Sequence, residues 1–451
     1  MKVAFLVYSS WSESRRTNNS FDGSSNIGCY MLIDVLARNN IIVDFCSVDS
    51  AHKFDIVMVS FTSIYDILAY YKQVARHKNF KKPRKFKIIG GGFGMQNPIA
   101  ISEYLDYAWF GRCENEIYDI IKSNLEFEHP SLMNLKNIKN VFINQVSNLY
   151  PYDIKLNSSD KSHNNYKEKS LGCPHKCFFC HYSFSRKNYI KDNNLYNISL
   201  YSSSQEVDMF NIDKVNYKIP RIITAIDGID EPLRYFVNKR ISNELIKHFI
   251  LELSSRTEVK GKAVFLTLYN ITNYEIETIE HYNNFKKLLI SIEPLLKKRI
   301  VLVLHSTPLH PSPLTPMAYS KVCFGSVLNN KMSGKDIIKE TANLKSKHSL
   351  FQESDWRAFE SLSVERATDN NKHIFHNIVF NNSLNKYRSK DKLKIMLNKF
   401  DCSSLIKEYM TNEQLPTWFL NSYISNDKIK KMRELQINKY IRPVNNSIEI
   451  K

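Results

Sequence analysis

The sequence predicts an α/β protein: two successive regions of alternating strand and helix, then a mainly helical region. Short apolar or β-branched runs alternate with stretches of helical spacing over residues 1–125 and again over about 167–320. Beyond about residue 321 strand signals are few, while helical ones continue. Such alternation marks parallel sheets with helices on their faces, which bind ligands beyond the carboxyl ends of the strands.

In the first region Lys2–Tyr8 is an apolar run of strand length. Ile27–Ala37 places Ile27, Met31, Leu32, Val35 and Leu36 at helical spacing. Ile41–Cys46 and Asp55–Ser60 are short β-branched runs, and Ile64–Arg76 is again helical. Lys87–Ile89 is a strand that runs into Gly90-Gly91-Gly92, Tyr107–Phe110 is a last strand and Glu114–Ser123 a last helix. A glycine run after a buried strand lets the backbone approach a ligand, or serves only a tight turn. Ser9–Ser25 is a polar insert, either a lid or a disordered loop. Residues 128–165 are polar and Asn-rich and read as a linker. In the second region Lys169–Leu171, Ile198–Tyr201, Arg221–Ile226, Ala263–Tyr269 and Ile300–His305 read as strands. Ser242–Leu253 and Asn283–Ile292 read as helices between them, which is enough for a partial or complete β/α barrel. Ser403–Met410 and Asp427–Leu435 are helical stretches of the last region. The expected division is therefore an α/β domain over 1–127, a linker over 128–165, a barrel core over 166–320 and a mainly helical region over 321–451.

Composition removes several classes. Of 451 residues 43% are hydrophobic and 24% charged, which excludes wholesale disorder. With 12 Gly and 14 Pro the chain is not collagen-like. No apolar run approaches the roughly 18 residues of a membrane span. The apolar start is too short for a signal peptide and reads as a strand, so the expected location is cytoplasmic. The net charge of +18 favours an anionic partner such as nucleic acid, although scattered lysines also arise from a Lys- and Asn-rich composition alone.

Of the eight cysteines, five are isolated, as buried small hydrophobes usually are. The other three form Cys173-Pro-His-Lys-Cys177-Phe-Phe-Cys180, spaced C-x3-C-x2-C directly after a strand. Three thiolates on one short loop can hold three irons of a four-iron cluster and leave the fourth open. A structural zinc site wants four protein ligands, commonly in two pairs, so zinc here would need His175 or His181 as the fourth.

This loop resembles that of radical S-adenosylmethionine (SAM) enzymes, whose motif is C-x3-C-x-aromatic-C; Phe179 fills the aromatic position. The resemblance implies that Cys173, Cys177 and Cys180 bind a [4Fe-4S] cluster whose open iron takes SAM. It implies reductive cleavage of SAM to a 5'-deoxyadenosyl radical, and a flavodoxin- or ferredoxin-type reductant. Further stretches resemble the branch with an N-terminal cobalamin-binding-type, flavodoxin-like domain. Gly228-Ile-Asp-Glu-Pro-Leu-Arg234 followed by Val237-Asn238-Lys239 is similar to one of its segments, and Leu309-His-Pro-Ser-Pro313-Leu-Thr315-Pro316 to another. Ser60-Phe-Thr62, Gly90-Gly91-Gly92 and Gly111-Arg-Cys-Glu114 stand where such domains place their cofactor-facing turns. Ser60, Thr62, Gly90, Gly91 and Gly92 are thus expected at a cobalamin site, and Phe179, Glu206, Asp227 and Arg234 near SAM, with Arg234 a candidate partner for a carboxylate.

The chain also departs from the pattern. The D-x-H-x2-G motif whose histidine ligates cobalt is absent, and only His52 and His77 lie in the first domain. The G-G-E element has no match beyond Ser202–Glu206. Methylthiotransferases place cysteines where Phe61-Thr62 and Gly92-Phe93 stand here, so that cousin is rejected. His305, Tyr269 and Asn270, at strand ends, are candidates for substrate contact or core packing. The expected function is a radical SAM reaction on an unidentified substrate, with methyl transfer through cobalamin or another transformation. The rivals are a nucleic-acid-modifying enzyme without cobalamin and a non-catalytic zinc or iron–sulfur module.

Overall fold

Runs such as Val3-Ala-Phe-Leu6 and Ile56-Val-Met-Val59 are apolar on both parities, so they are stable only where both faces of a sheet are covered. The computed structural model describes residues 1–8, 27–129, 131–135, 170–171, 173, 175–184, 190–191, 207, 221–256, 264–296, 300–324, 348–352, 354–417 and 425–441. In it the first region contains β1 (Val3–Leu6), α1 (Ile27–Arg38), β2 (Val43–Cys46), β3 (Ile56–Ser60), α2 (Ile64–Val74), β4 (Lys87–Gly91), β5 (Tyr107–Trp109), α3 (Ile117–Lys122) and β6 (Leu132–Asn134). The sheet order is β2-β1-β3-β4-β5-β6, parallel except for the last pair. The five parallel strands follow the flavodoxin-like order 2-1-3-4-5.

The pleat sends alternate residues to opposite cores. Phe5, Ile56, Met58, Ile89 and Trp109 pack with Leu36, Ile117 and Ile121 of α1 and α3. Ala4, Leu6, Val57, Val59 and Ile88 face Ile67, Leu68 and Tyr70 of α2. Helix α2 starts at a capping box, in which Ser63 and Asp66 satisfy each other's backbone donors. The Thr62 hydroxyl and amide also donate to Asp66, at 2.6 and 2.7 Å.

The second core continues into the last region. Phe359 and Leu362 of helix Asp355–Glu365, Ile374 and Phe375 of helix Lys372–Phe380, and Leu393 and Met396 of helix Ser389–Lys399 belong to it. Each such side chain contributes about 1.5–3 kcal/mol on burial. The helical region after 321 is therefore a third layer on the first sheet and shares its core, so it is no separate cap. The expected linker also begins later, because residues 132–134 add an antiparallel edge strand whose Met133 is buried.

The cysteine loop lies between β7 (Ser170–Leu171) and β8 (Ile190–Lys191), which pair antiparallel. Residues 169–171 were expected in the parallel sheet; the chain instead turns back within twenty residues and closes a local hairpin. The second parallel sheet is β12-β11-β10-β9, from β9 (Arg221–Ala225), β10 (Val264–Thr272), β11 (Ile300–Pro308) and β12 (His348–Gln352). Strand β12 comes from the region expected to be helical. Leu266, Leu268, Leu302 and Leu304 pack one face of this sheet on Phe249, Ile250, Phe285 and Leu289 of the helices Asn243–Arg256 and Ile279–Ile292. The insert 9–25 and the expected strand 198–201 lie outside the described residues. Among the described residues no helix is long and apolar enough to cross a membrane.

Candidate cofactor site

Helix Glu231–Phe236 ends in a Schellman motif: the Asn238 amide donates to Tyr235 and the Lys239 amide to Arg234. That motif needs a left-handed residue, and Asn238 supplies it at φ 58°. Its side-chain amide is then free of the helix and donates to the carbonyls of His175 (3.2 Å) and Lys176 (3.1 Å) in the cysteine loop. The same loop is pinned at Phe178, whose N–H donates to Val237 and whose carbonyl accepts from Met317. Lys176, itself at φ 51°, donates from Nζ to the Ser183 carbonyl at 2.6 Å. The two segments singled out by resemblance, 228–239 and 309–316, thus end on the cysteine loop from two sides.

Within this frame Cys177 is buried, with 4% of its surface exposed, while Cys173 and Cys180 are half-buried. Burial pushes the Cys177 thiol well above its ordinary range; Lys239 opposes this, and Asp227, Cys180 and Cys173 add to it. Burial raises Cys180 too, against hydrogen bonds from Ser183. Neutral thiols in a dry pocket become ligands when a cationic centre replaces their protons. Among the described residues no three His, Cys, Asp or Glu side chains gather closely enough to hold one metal ion.

Phe179 packs partly buried against the core of the second sheet. Asp227 sits at φ 54° after β9, its carboxylate 3.3 Å from Lys239 Nζ and its carbonyl accepting the Tyr274 hydroxyl at 2.5 Å. Arg234 departs from the sequence reading. It is fully buried, and its guanidinium donates to the carbonyls of Ile241 (2.6 Å) and Gly228 (3.0 Å) and to Asn243 Oδ1. It braces the 228–243 turn from inside and offers no exposed fork to a carboxylate. Glu206 lies outside the described residues. Tyr269 and His305 are in register on β10 and β11 with rings stacked 4.3 Å apart, on the face away from the helix-packed leucines. Asn270 is buried on the opposite parity.

Glu277 organises the turn that delivers Tyr274 to Asp227. It accepts from the Tyr274 amide at 3.3 Å and from the Tyr282 hydroxyl. Burial pushes its carboxyl up to about 7 from 4.5. Between those values the folded chain keeps a proton that the unfolded chain releases, so stability falls as pH rises through this window. Glu277→Gln is expected to flatten that fall, read as the urea midpoint from pH 4.5 to 7.5.

A second feature adjoins the loop. At the carboxyl ends of β1, β3, β4 and β5 a cavity of about 200 Å³ opens between apolar walls of Phe5, Met58 and Trp109. Its lining includes Ser60, Gly91, Gly92, Gly111 and Arg112, and also His181, the residue after Cys180. Phe93, next to Gly92, lies 5.8 Å ring to ring from His181 and from Tyr182. Of the five residues expected at a cobalamin site, Ser60, Gly91 and Gly92 line this cavity. Thr62 and Gly90 do not: Thr62 donates to the Asp66 carboxylate at the start of α2, and Gly90 faces the opposite core against Phe61, Leu105 and Met95. Cys29 and Cys113 also line it, and burial pushes the Cys29 thiol up to about 12 and raises Cys113. Asn238, Met317, His181 and the 111–113 turn carry the geometry without having been chosen as site residues. Asn238 and the turn stood inside motifs already noted and His181 was weighed only as a fourth zinc ligand, whereas Met317 gave no signal.

These features define the chain as an α/β protein with two parallel sheets and a locked three-cysteine loop beside a cavity at the first sheet's carboxyl edge. Similar solved structures include three of the cobalamin-dependent S-adenosylmethionine radical enzyme OxsB. The apo form is 10% identical with a TM-score of 0.32, covering 97% of this chain and 66% of that one. The form with aqua-cobalamin and S-adenosylmethionine bound is 11% identical with a TM-score of 0.29, over 97% and 66%. The form with aqua-cobalamin alone is 10% identical with a TM-score of 0.29, over 97% and 67%. The chain thus spans about two thirds of that enzyme's length. No family model and no curated protein matches the chain.

Proposed function

We propose that the chain is a radical SAM enzyme, with Cys173, Cys177 and Cys180 holding three irons of a [4Fe-4S] cluster. The observation that carries this reading is the cysteine loop itself: three thiols spaced C-x3-C-x2-C, one of them buried, locked from two sides by the Asn238 amide and the Met317 N–H. When bound, the cluster supplies the electron that cleaves SAM and yields a 5'-deoxyadenosyl radical. The chain's own residues fix the loop and exclude water: Asn238 orients its carbonyls, Cys177 and Phe178 turn inward, and the Asp227–Lys239 pair holds the adjoining turn. Phe179 and Asp227 are proposed as SAM contacts because they lie on or beside the cysteine loop, whereas Arg234 acts as a brace.

Cobalamin is proposed at the carboxyl edge of the first sheet, with Ser60, Gly91 and Gly92 on the wall of a cavity that, at about 200 Å³, would take only part of so large a group. It would bind without a histidine from the D-x-H-x2-G motif, which this chain lacks. Whether the radical serves methyl transfer or another transformation, on nucleic acid or a small molecule, follows from the substrate.

The test is product analysis on anaerobically reconstituted protein given SAM and a strong reductant, with and without cobalamin. 5'-Deoxyadenosine is expected in both samples and is expected to vanish in Cys177→Ala. S-Adenosylhomocysteine formed only with cobalamin would assign methyl transfer. No 5'-deoxyadenosine from protein carrying a full complement of iron and given candidate substrates would overturn the reading.

A further inference from the structure

A second cavity, of about 280 Å³, shares no residue with the cysteine loop or with the cavity of the first sheet. It opens where helix Lys372–Phe380 of the third layer meets α2 and the turn over residues 99–104. Ile99 and Ala100 in its lining are buried. Rings make up much of the rest. Tyr71 and Tyr104 stand edge to face, 5.3 Å apart, and the Tyr71 hydroxyl lies 2.9 Å from His376 Nδ1. His373 Nδ1 donates to the Asn370 carbonyl at 3.0 Å. Both imidazoles are exposed, so their rings are wall that a ligand can reach.

Cations stand around this cleft on several sides. Lys372 lies in the lining, 3.4 Å from Glu103 and 3.2 Å from Asp369, the two carboxylates of the cleft. Arg76 sits over the Phe380 ring at 5.7 Å, and that ring packs on His376 at 4.8 Å. Lys399 sits over the Phe400 ring at 5.2 Å, and that ring packs on His373 at 5.6 Å. Lys82 donates from Nζ to the carbonyl of Ser102, a lining residue, at 3.0 Å. Asp106, 4.0 Å from Lys82, is already met by Arg84 at 2.7 Å. Arg76, Lys82, Lys372 and Lys399 thus outweigh Glu103 and Asp369, in a chain whose net charge is +18. Ring walls inside a cationic rim match a nucleotide, whose base stacks while its phosphate is neutralised.

We propose that this cleft binds single-stranded nucleic acid, with one base against the His373 and His376 rings and neighbouring phosphates on Arg76, Lys82, Lys372 and Lys399. A strand is favoured over a free nucleotide because the cations lie on different sides of the cleft, and one phosphate cannot meet them all. A strand is favoured over a duplex because paired bases are not offered to the rings. An acidic peptide would use the rim and leave the rings idle.

The test titrates the full chain against a fluorescein-labelled single-stranded RNA of mixed sequence, about 15 nucleotides long, read by anisotropy. With four phosphates met, log affinity is expected to fall against log salt with a slope of about −3. Arg76→Ala with Lys82→Ala is expected to weaken binding about tenfold and to make that slope shallower by about 1.4. His373→Ala is expected to weaken binding about tenfold at an unchanged slope, and His373→Phe to restore it. Lys286→Ala with Lys287→Ala, on the exposed face of helix Ile279–Ile292, removes the same charge and should change neither quantity. Equal losses in that pair would reduce the effect to net charge and overturn the proposal. So would no binding at low salt, or a duplex of the same sequence bound as tightly as the strand. Adenosine monophosphate competing at the strand's own affinity would assign a free nucleotide and overturn the strand. Urea midpoints near that of the parent chain show that the variants fold. Iron content and 5'-deoxyadenosine formation report separately on the cysteine loop, none of whose residues lines this cleft, so the two readings fail independently.

Discussion

Cys173→Ala, Cys177→Ala and Cys180→Ala are each expected to lower the iron bound by the reconstituted protein from about four per chain to near none. A cluster held by three thiolates loses a corner with any one of them, so the three losses should be alike rather than graded by burial. Cys402→Ala is the matching control. Cys402 is buried too, its thiol pushed up to about 11 mainly by its surroundings, but it contacts the Met396 carbonyl in the helical layer. Its loss should leave iron and sulfide unchanged and cost only the small cavity of a missing sulfur, about 1–2 kcal/mol. Iron and acid-labile sulfide assays with zinc analysis read all four proteins. One zinc per chain without sulfide, or iron retained in Cys177→Ala, would sink the assignment.

Much of this site was legible before any fold was in hand, because its chemistry is local. Three cysteines within eight residues declare themselves, and so does a glycine run. The elements that build the first sheet were legible for a similar reason: β1 and β3 are short continuous apolar runs, and α1 shows helical spacing. What could not be read depends on partners far along the chain. Arg234 looks like an exposed helical arginine in Glu-Pro-Leu-Arg-Tyr-Phe, and only the turn that brings the Ile241 carbonyl and Asn243 back to it makes it a buried brace. β6 and β12 are three and five residues long at sheet edges, too short to show a period. The third helical layer shares its core with α2 through contacts such as Tyr71 with Phe375, rings 4.7 Å apart, which no local pattern announces. Gly90, Gly91 and Gly92 form one run in sequence, yet they fall on different sides of the strand end, and only two of them reach the cavity.

That division among the glycines leads to an ordered stability series. Gly92→Ala is expected to be the most destabilising, by about 3 kcal/mol or more, because two separate costs fall on it. Its φ of 102° is a conformation that side-chain-bearing residues rarely adopt, and a Cβ there would stand 2.5 Å from the Phe61 carbonyl oxygen. That oxygen cannot retreat cheaply, since it accepts the Gly94 amide at 2.7 Å, while the Phe61 amide donates to Gly91. Gly111→Ala shares the strain, at φ 94°, but a Cβ would meet nothing within 4 Å, so its cost should stay near 1 kcal/mol. Gly91→Ala has neither cost: its nearest neighbour would be Trp109 at 3.6 Å and its φ is ordinary, so stability should be unchanged or slightly raised. Urea denaturation of the three variants reads the order directly, and a Gly92→Ala protein as stable as Gly91→Ala would refute it. The same series separates fold from ligand, because Gly91 and Gly92 both line the cavity. A Gly91→Ala protein that keeps its stability but loses cobalamin would assign the cavity as the binding site on chemistry alone, since its new methyl group disturbs nothing else.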